Sequence, residues 1–280
     1  MLDCTIVVCS CDDYEDTWEL FFCALRDNWK NLSYNVVLNT ESKKTDIPGI
    51  TTFNSYYLKG NDKWGERLIN TLNSIESEYV LVVYDDYVLE KKVNVDEVNK
   101  CIERMKNNKD IAAFYLTTCS PDAVKDDTFS MFDRLAKRAD YKLNSAPGVW
   151  NKKKLLSYLN NDDTPWAWEY FGSYLTYNKG DLFYQVKSEM ENIFPYYTLG
   201  GAIYRGKWQC ERVKPLIEKY NLSLDLNKRG CSSSDQSENK RTLNWKINFF
   251  RKGYEMIGFA IFIFVYRILK GKIFKKVKGF

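Results

Sequence analysis

The sequence predicts an open α/β domain built on a mostly parallel sheet. Strand-like and helix-like stretches alternate through the first half of the chain. Polar clusters stand at the ends of three strand-like runs, where open α/β sheets collect their ligands. The chain has 280 residues, of which 45% are apolar and 16% aromatic. That is enough to bury the core of one large α/β domain or two small ones, and it excludes whole-chain disorder.

The elements follow in order. Met1-Leu2-Asp3 leads straight into Thr5-Ile6-Val7-Val8, which reads as a first strand with no secretory signal before it. The polar loop Ser10-Cys11-Asp12-Asp13-Tyr14 precedes a helix around Trp18 to Trp29, where apolar residues recur at helical spacing. Asn35-Val36-Val37-Leu38 reads as a second strand closing at Asn39-Thr40-Glu41, and residues 53–57 read as a short third. Trp64, Leu68, Ile69 and Leu72 share one side of a helix over 64–75. The strongest strand, Tyr79-Val80-Leu81-Val82-Val83-Tyr84, runs directly into Asp85-Asp86. A helix over 95–107 and a strand over 111–116 complete the alternation.

The second half is less regular. The turn Ala146-Pro147-Gly148 precedes Val149-Trp150 and a helix around 152–160. Asp162-Asp163-Thr164-Pro165 then enters a helix ending near 177. Gly200-Gly201-Ala202 leads through Arg205-Gly206-Lys207-Trp208 to a helix over 209–220, and the Ser-rich stretch 230–240 reads as a polar linker. The chain shows no internal repeat.

A formal charge of +4 conceals an asymmetry. From Lys240 to Phe280 there are 11 Lys+Arg and one acid, Glu255, a net +10; the other 239 residues hold 30 Lys+Arg and 36 Asp+Glu, a net −6. An acidic body with a basic tail meets different partners with its two parts, and a body of that charge does not fit nucleic acid. Within the tail, the 14 residues from Gly253 to Tyr266 carry only Glu255 as a charge. That run is short for a bilayer-spanning helix, and cations flank it densely. It reads as an amphipathic helix lying in an anionic membrane surface, with Phe259, Ile261, Phe262, Phe264, Val265 and Tyr266 among the acyl chains. A helix packed on the body is the competing reading.

The eight cysteines (4, 9, 11, 23, 101, 119, 210 and 231) are scattered, without zinc-type pairing. They read as thiols of a reduced compartment rather than a disulfide framework. Cys9 and Cys11 read as packing residues, because nothing basic adjoins them in sequence to activate a thiol. Histidine is absent, which removes Ser-His-Asp, Cys-His and His-ligated metal chemistry and leaves carboxylates as acids, bases and ligands.

Among the carboxylates, Asp85-Asp86 is the leading pair. Two adjacent acids ending an apolar strand repel one another unless a cation joins them, and a divalent metal bridging a diphosphate supplies one. A solvated turn after the strand is the alternative. Glu169 follows the aromatic run Pro165-Trp166-Ala167-Trp168 in the first turn of a helix. It serves either as a base or as a partner of the helix dipole.

Strand-Asp85-Asp86-Tyr87, with Trp64-Gly65-Glu66-Arg67-Leu68 and the Ser10-Cys11-Asp12 loop before it, resembles nucleotide-sugar glycosyltransferases of the glycosyltransferase-A fold. The set continues with Pro147-Gly148-Val149-Trp150, Pro165 to Glu169 and Gly200 to Trp208. Together these resemble bacterial enzymes of capsule, O-antigen and related surface-polysaccharide clusters. The resemblance covers about residues 5 to 230 and leaves out the tail.

The resemblance implies a catalytic domain over 1–229, with a nucleotide-sugar-binding half at 1–118 and an acceptor-binding half at 119–229. The linker 230–240 and the tail 241–280 follow. Ser10, Cys11, Asp12, Asn39 and Thr40 would line the nucleotide pocket, joined by Trp64. Arg67 would donate to the diphosphate or pin the acidic loop. Asp86 would hold Mn²⁺ or Mg²⁺, with Asp85 nearer the sugar or ribose; Tyr87 stands where a second spaced Asp often lies. Arg205 and Lys207 would neutralise the departing diphosphate. Glu169 would be the base of an inverting transfer, and Trp150, Trp166 and Trp168 would face the acceptor. The implied partners are a nucleotide-sugar donor and a glycan or lipid-linked acceptor at the cytoplasmic face of a membrane. A nucleotidyltransferase and a non-catalytic membrane-bound assembly module are the alternative functions. The first normally carries a Gly-rich loop after its first strand, and Ser10-Cys11-Asp12-Asp13 contains no glycine.

Overall fold

Apolar residues fill the first strand, β1 (Cys4–Cys9), because both of its faces are covered. Ile6 and Val8 enter the core on one side of the sheet, and Val7 and Cys9 enter the core on the other. β1 lies between two parallel neighbours, β2 (Asn35–Thr40) and β4 (Tyr79–Tyr84). β3 (Ile50–Asn54) extends the sheet beyond β2. The computed structural model describes residues 3–54, 63–198, 200–232 and 242–269. The third strand thus forms three residues earlier than expected, and positions 55–57 lie outside the described residues.

Five more strands complete the main sheet. They are β5 (Ile111–Tyr115), β6 (Ala123–Val124), β7 (Phe132–Leu135), β8 (Gly148–Asn151) and β9 (Leu182–Val186). The order across the sheet is β3-β2-β1-β4-β8-β5-β9-β7-β6. Among the described strands of this sheet, β7 and β8 run against the rest, so the sheet is mostly parallel but mixed. The reversed β8 sits between β4 and β5, pairing Leu81 with Val149 and Phe114 with Val149.

Helices cover both faces. On one face lie α1 (Glu15–Asn28), α3 (Val95–Asn107) and α6 (Cys210–Tyr220), through Trp18, Phe21, Val98, Ile102 and Val213. On the other lie α2 (Trp64–Ser74), α4 (Lys152–Leu156) and α5 (Pro165–Leu175), through Leu68, Leu72, Leu155 and Trp168. The start of α5 is set locally. Thr164 caps it by accepting from Ala167 N at 3.3 Å, and Pro165 fills the first turn, where its missing N–H costs nothing. Asp162-Asp163 is the loop that delivers this cap.

The tail forms α7 (Leu243–Ile257) and α8 (Ile261–Leu269), separated by a single 3-10 turn at Gly258–Ala260. The uninterrupted run expected over 253–266 therefore breaks at Gly258, whose φ of 55° a side chain would oppose. Phe249, Ile261, Phe264 and Ile268 pack against Ala167, Phe171 and Tyr174 of α5. Gly253 makes this contact close: a Cβ there would lie 2.6 Å from Phe171 Cζ and 2.7 Å from Ile261 Cδ1. Ile261 and Phe264, expected among acyl chains, are instead buried on the body, whereas Phe259, Phe262 and Tyr266 are exposed. Among the described residues, no helix is long and apolar enough to cross a membrane. The cations from Lys270 to Lys278 lie outside the described residues.

The cysteine reading requires a correction. Cys210 and Cys231 form a disulfide, with Cα atoms 5.4 Å apart. A small hairpin brings them together: β10 (Ile203–Tyr204) and β11 (Lys207–Trp208) end at Cys210, and Trp208 pairs in parallel with Cys231. Residues 230–232, the start of the expected linker, thus hold on to the body; 233–240 lie outside the described residues.

Candidate active site

The site gathers where β1 and β4 end. Register places Cys9 beside Tyr84, so the loops after both strands emerge together at their carboxyl ends. Asp85 N donates to Cys9 O at 3.3 Å, and the Ser10 hydroxyl donates to Asp85 Oδ2. Trp18 Nε1 donates to Ser10 Oγ at 2.7 Å, so α1 fixes the serine that fixes the aspartate. Asp85 is 3% exposed. Burial pushes its carboxyl up to about 7, against the opposing influence of Ser10, Thr17 and Trp18.

Asp86 is half-buried, and no described side chain donates a hydrogen bond to it. Burial first, and then the Asp85 charge, push its carboxyl well above the carboxylate range. Its backbone supports the Gly-rich segment: Ala202 N donates to Asp86 O at 2.7 Å. Gly201, at φ 62°, lies so close that a Cβ would meet Asp86 O at 2.6 Å. Any side chain there would displace the loop from the aspartate.

This arrangement fits a divalent cation. A buried and a half-buried carboxylate, adjacent and with no described side chain donating to Asp86, are a donor pair whose repulsion a cation would relieve. No cluster of three or more acidic, Cys or His side chains suited to a metal occurs among the described residues. The fit is therefore to a metal carried largely by ligand oxygens.

Beyond Asp86, Tyr87 stacks on Tyr196 with ring centroids 4.4 Å apart. Burial raises both phenols, and the charges of Asp86 and Glu169 add to the rise. Glu169 is half-buried and accepts from Ser145 N at 2.9 Å through Oε1. Burial raises its carboxyl, opposed by the Ser145 hydrogen bonds. Trp166 is 59% exposed and stands three residues before Glu169, on the same helical face.

Several residues expected at the site make contacts within the scaffold. Asp12 accepts from Ser42 N at 2.9 Å, Lys43 N at 3.1 Å and the Ser42 hydroxyl, which ties the β1 and β2 loops together. Burial pushes its carboxyl up, but these bonds outweigh it and hold it below the usual range. Cys11 is half-buried in the same loop, its carbonyl accepting from Tyr14 N at 2.9 Å. Asn39 and Thr40 are buried and present no surface to a pocket. Arg67, 2% exposed, pairs with Glu41 after β2 at 3.0 Å. Trp64, Trp150 and Trp168 are core residues around a cavity of about 10 Å³, room for about one water. Neither Trp150 nor Trp168 has a face free for an acceptor. Arg205 occupies the turn between β10 and β11, exposed and stacked on Tyr204 at 5.4 Å; Lys207 is half-buried on β11.

Arg229 enters the site without having been singled out in the sequence. It ion-pairs with Asp16, 213 residues away, and covers the Tyr14 ring at 4.5 Å. Both Asp85 and Asp86 act on the Tyr14 phenol. No local pattern around Arg229-Gly230-Cys231 signals this long-range contact.

No protein-family model matches the chain, and no characterised protein matches it by sequence. Solved structures do. Staphylococcus aureus TarS, in complex with UDP, is 12% identical over 92% of this chain and 82% of its own, with a TM-score of 0.50. TarS in complex with UDP-GlcNAc is 10% identical over 89% and 79%, with a TM-score of 0.44. The bifunctional IspDF of Campylobacter jejuni is 14% identical over 69% of this chain, with a TM-score of 0.38, and this chain spans only 52% of its length. At these identities the likeness is one of fold, and the UDP complex of TarS shows it: an α/β fold on a large mixed sheet.

Proposed function

We propose that the protein is a glycosyltransferase that moves a sugar from a nucleoside-diphosphate donor to a glycan acceptor. The observation that carries the reading is the Asp85–Asp86 pair at the carboxyl end of β4, with Asp85 buried against the β1 loop and Asp86 backed by Gly201. A fold shared with a protein solved with UDP supports a nucleotide partner. Asp86 would hold Mn²⁺ or Mg²⁺, with Asp85 beside it fixed by Ser10. When bound, such a metal neutralises the diphosphate as it departs. Glu169, its carboxyl raised by burial, takes the proton of the attacking acceptor hydroxyl, which accords with inversion. Trp166 offers an exposed aromatic face to the acceptor sugar. The proposed setting is the cytoplasmic face of a membrane, where the Cys210–Cys231 bond would stand open to reduction. The exposed apolar side of α7 and α8 and the flanking cations would hold the protein there, next to a lipid-linked acceptor of surface-polysaccharide type.

Purified protein, incubated with a panel of nucleotide sugars and Mn²⁺, should release nucleoside diphosphate from one of them. Asp86→Asn should abolish release while keeping the circular dichroism spectrum. Pyrophosphate release from a nucleoside triphosphate and a sugar phosphate would instead make the protein a nucleotidyltransferase. Inertness toward both sets of substrates would leave a non-catalytic module.

A further inference from the structure

We propose that Arg229 is the residue that receives the diphosphate of the donor, and that the Cys210–Cys231 disulfide holds it in place. The inference rests on the glycosyltransferase reading above and names the cation of its donor site.

The guanidinium is fixed from several directions. Arg229 Nε and Nη2 donate to the two oxygens of Asp16 at 2.8 and 2.6 Å, and Nη2 also donates to Asp13 O. The group lies 4.5 Å from the centre of the Tyr14 ring and 5.8 Å from that of Trp208. Of its nitrogens, Nη1 takes part in none of these hydrogen bonds. Asp13, whose carbonyl accepts from Nη2, and Tyr14 lie in the loop that begins at Ser10, whose hydroxyl donates to Asp85. A fixed cation thus stands on the loop that holds Asp85. A diphosphate joined to a metal on Asp86 presents oxygens to such a cation, and a planar guanidinium pre-oriented by Asp16 binds them with little further ordering. The alternative cations are placed less well, since Arg67 is paired with Glu41 and Arg205 is exposed in a hairpin turn.

The position of Arg229 depends on a strap. Trp208 N donates to Gly230 O at 3.0 Å, and Ser232 N donates to Trp208 O at 2.8 Å, so residues 230–232 lie along β11. The disulfide then fastens Cys231 to Cys210, the first residue of α6. Opening that bond leaves the strap on a few hydrogen bonds at the edge of a two-stranded ribbon. Dithiothreitol opens it by two successive exchanges: each sulfur leaves as a thiol, and the reductant closes into its cyclic disulfide.

The test is calorimetric titration of the full chain with UDP, CDP, GDP and TDP in the presence of Mn²⁺, and with the nucleoside of the tightest binder. Arg229→Gln should weaken that diphosphate by about 10- to 100-fold while leaving the nucleoside unchanged. Arg229→Lys should fall between, and Lys228→Gln, the same charge change on an exposed neighbour, should match wild type. Dithiothreitol, or the Cys210→Ser/Cys231→Ser pair, should weaken the diphosphate in wild type and add nothing in Arg229→Gln. Unchanged diphosphate affinity in Arg229→Gln, with wild type still binding, overturns the assignment and leaves the transferase reading standing. Loss of the nucleoside together with the diphosphate also overturns it, by showing that Arg229 supports the fold. Failure of wild type to bind any of the diphosphates removes both readings, and an inert reductant removes the role of the disulfide.

Discussion

Among the described residues, large apolar side chains reach the surface of the body at Val124, Trp166, Met190 and Tyr204; between Leu243 and Leu269, a far shorter stretch, eight do so. The tail is not poorly folded for that. Thr242 caps α7 by accepting from Trp245 N at 3.2 Å, and one side of each tail helix is buried on α5. What differs is the opposite side, which stays apolar where the body turns polar. A soluble surface rarely concentrates apolar groups this way, and one flanked by cations suits an anionic membrane surface. The comparison also shows that α5 serves both regions. Trp168 enters the main core, Phe171 receives the tail, and Glu169 accepts from Ser145 N at 2.9 Å. The seat of the tail and the candidate base are thus two positions apart on one helix.

The sharpest way to separate the two regions is to disable one and measure the other. Asp86→Asn removes the proposed metal ligand, so turnover should fall by ~10³-fold or more, the equivalent of several kcal/mol of transition-state stabilisation. Binding to vesicles containing anionic lipid should not change. Glu169→Gln should lower turnover by ~10²–10⁴-fold through loss of the base, again with vesicle binding intact. Sedimentation with phosphatidylglycerol vesicles checks the second half of each expectation, and a variant that loses both properties would break the separation.

The converse comes from the tail. Phe259→Asp with Phe262→Asp replaces two exposed rings by charges, and vesicle binding should drop by ~10²–10⁴-fold, from two lost burials of about 1.5–3 kcal/mol each. Nucleoside diphosphate release in solution should match wild type. Gly253→Leu attacks the seam itself, where a side chain must enter the space held by Phe171 and Ile261. Overpacking there should cost about 1–3 kcal/mol in chemical denaturation and make the tail sensitive to protease. A silent Gly253→Leu would mean that the tail is not seated on α5 as described.

How legible these features are in the sequence depends on how local their cause is. The run from Tyr79 to Tyr84 followed by two acids needs nothing distant to be read, and strand and pair both stand where expected. β9 is illegible because Gln185 interrupts its apolar run; the buried amide accepts from Cys119 N and Ser120 N at 3.0 and 2.6 Å, from a loop more than sixty residues away. Trp150, Trp166 and Trp168 look alike in sequence, yet helix phase and the reversed β8 bury two and expose one. Asp12 reads as a ligand carboxylate because Ser42 and Lys43, which occupy it, come from the next strand's loop. Arg229 is the extreme case, since its partner Asp16 and its disulfide strap are both non-local.

The smallest expected effect tests whether Lys252 couples body and tail electrostatically, beside the Arg267–Asp140 ion pair at 2.8 Å. Asp163, 1% exposed in the loop before α5, accepts from Asn160 N at 2.8 Å. Burial lifts its carboxyl to about 6 from an ordinary 3.8, and Lys252 of α7 is among the groups opposing that rise. A folded-state value above the unfolded one means that the folded protein holds the proton more tightly. The resulting stability is complete below about pH 4 and is lost as pH rises through 6. Asp163→Asn keeps the acceptor oxygen and removes the ionisation. It should therefore match wild type at pH 4 and exceed it by at most about 3 kcal/mol at pH 8, read from urea denaturation. Lys252→Gln removes an opposing charge, so it should steepen the loss of wild-type stability between pH 4 and 7 and leave the Asp163→Asn profile unaltered. A Lys252→Gln effect that persists in Asp163→Asn would assign the lysine a partner other than this carboxylate, and the electrostatic coupling of the two regions would then rest on the Arg267–Asp140 ion pair at 2.8 Å.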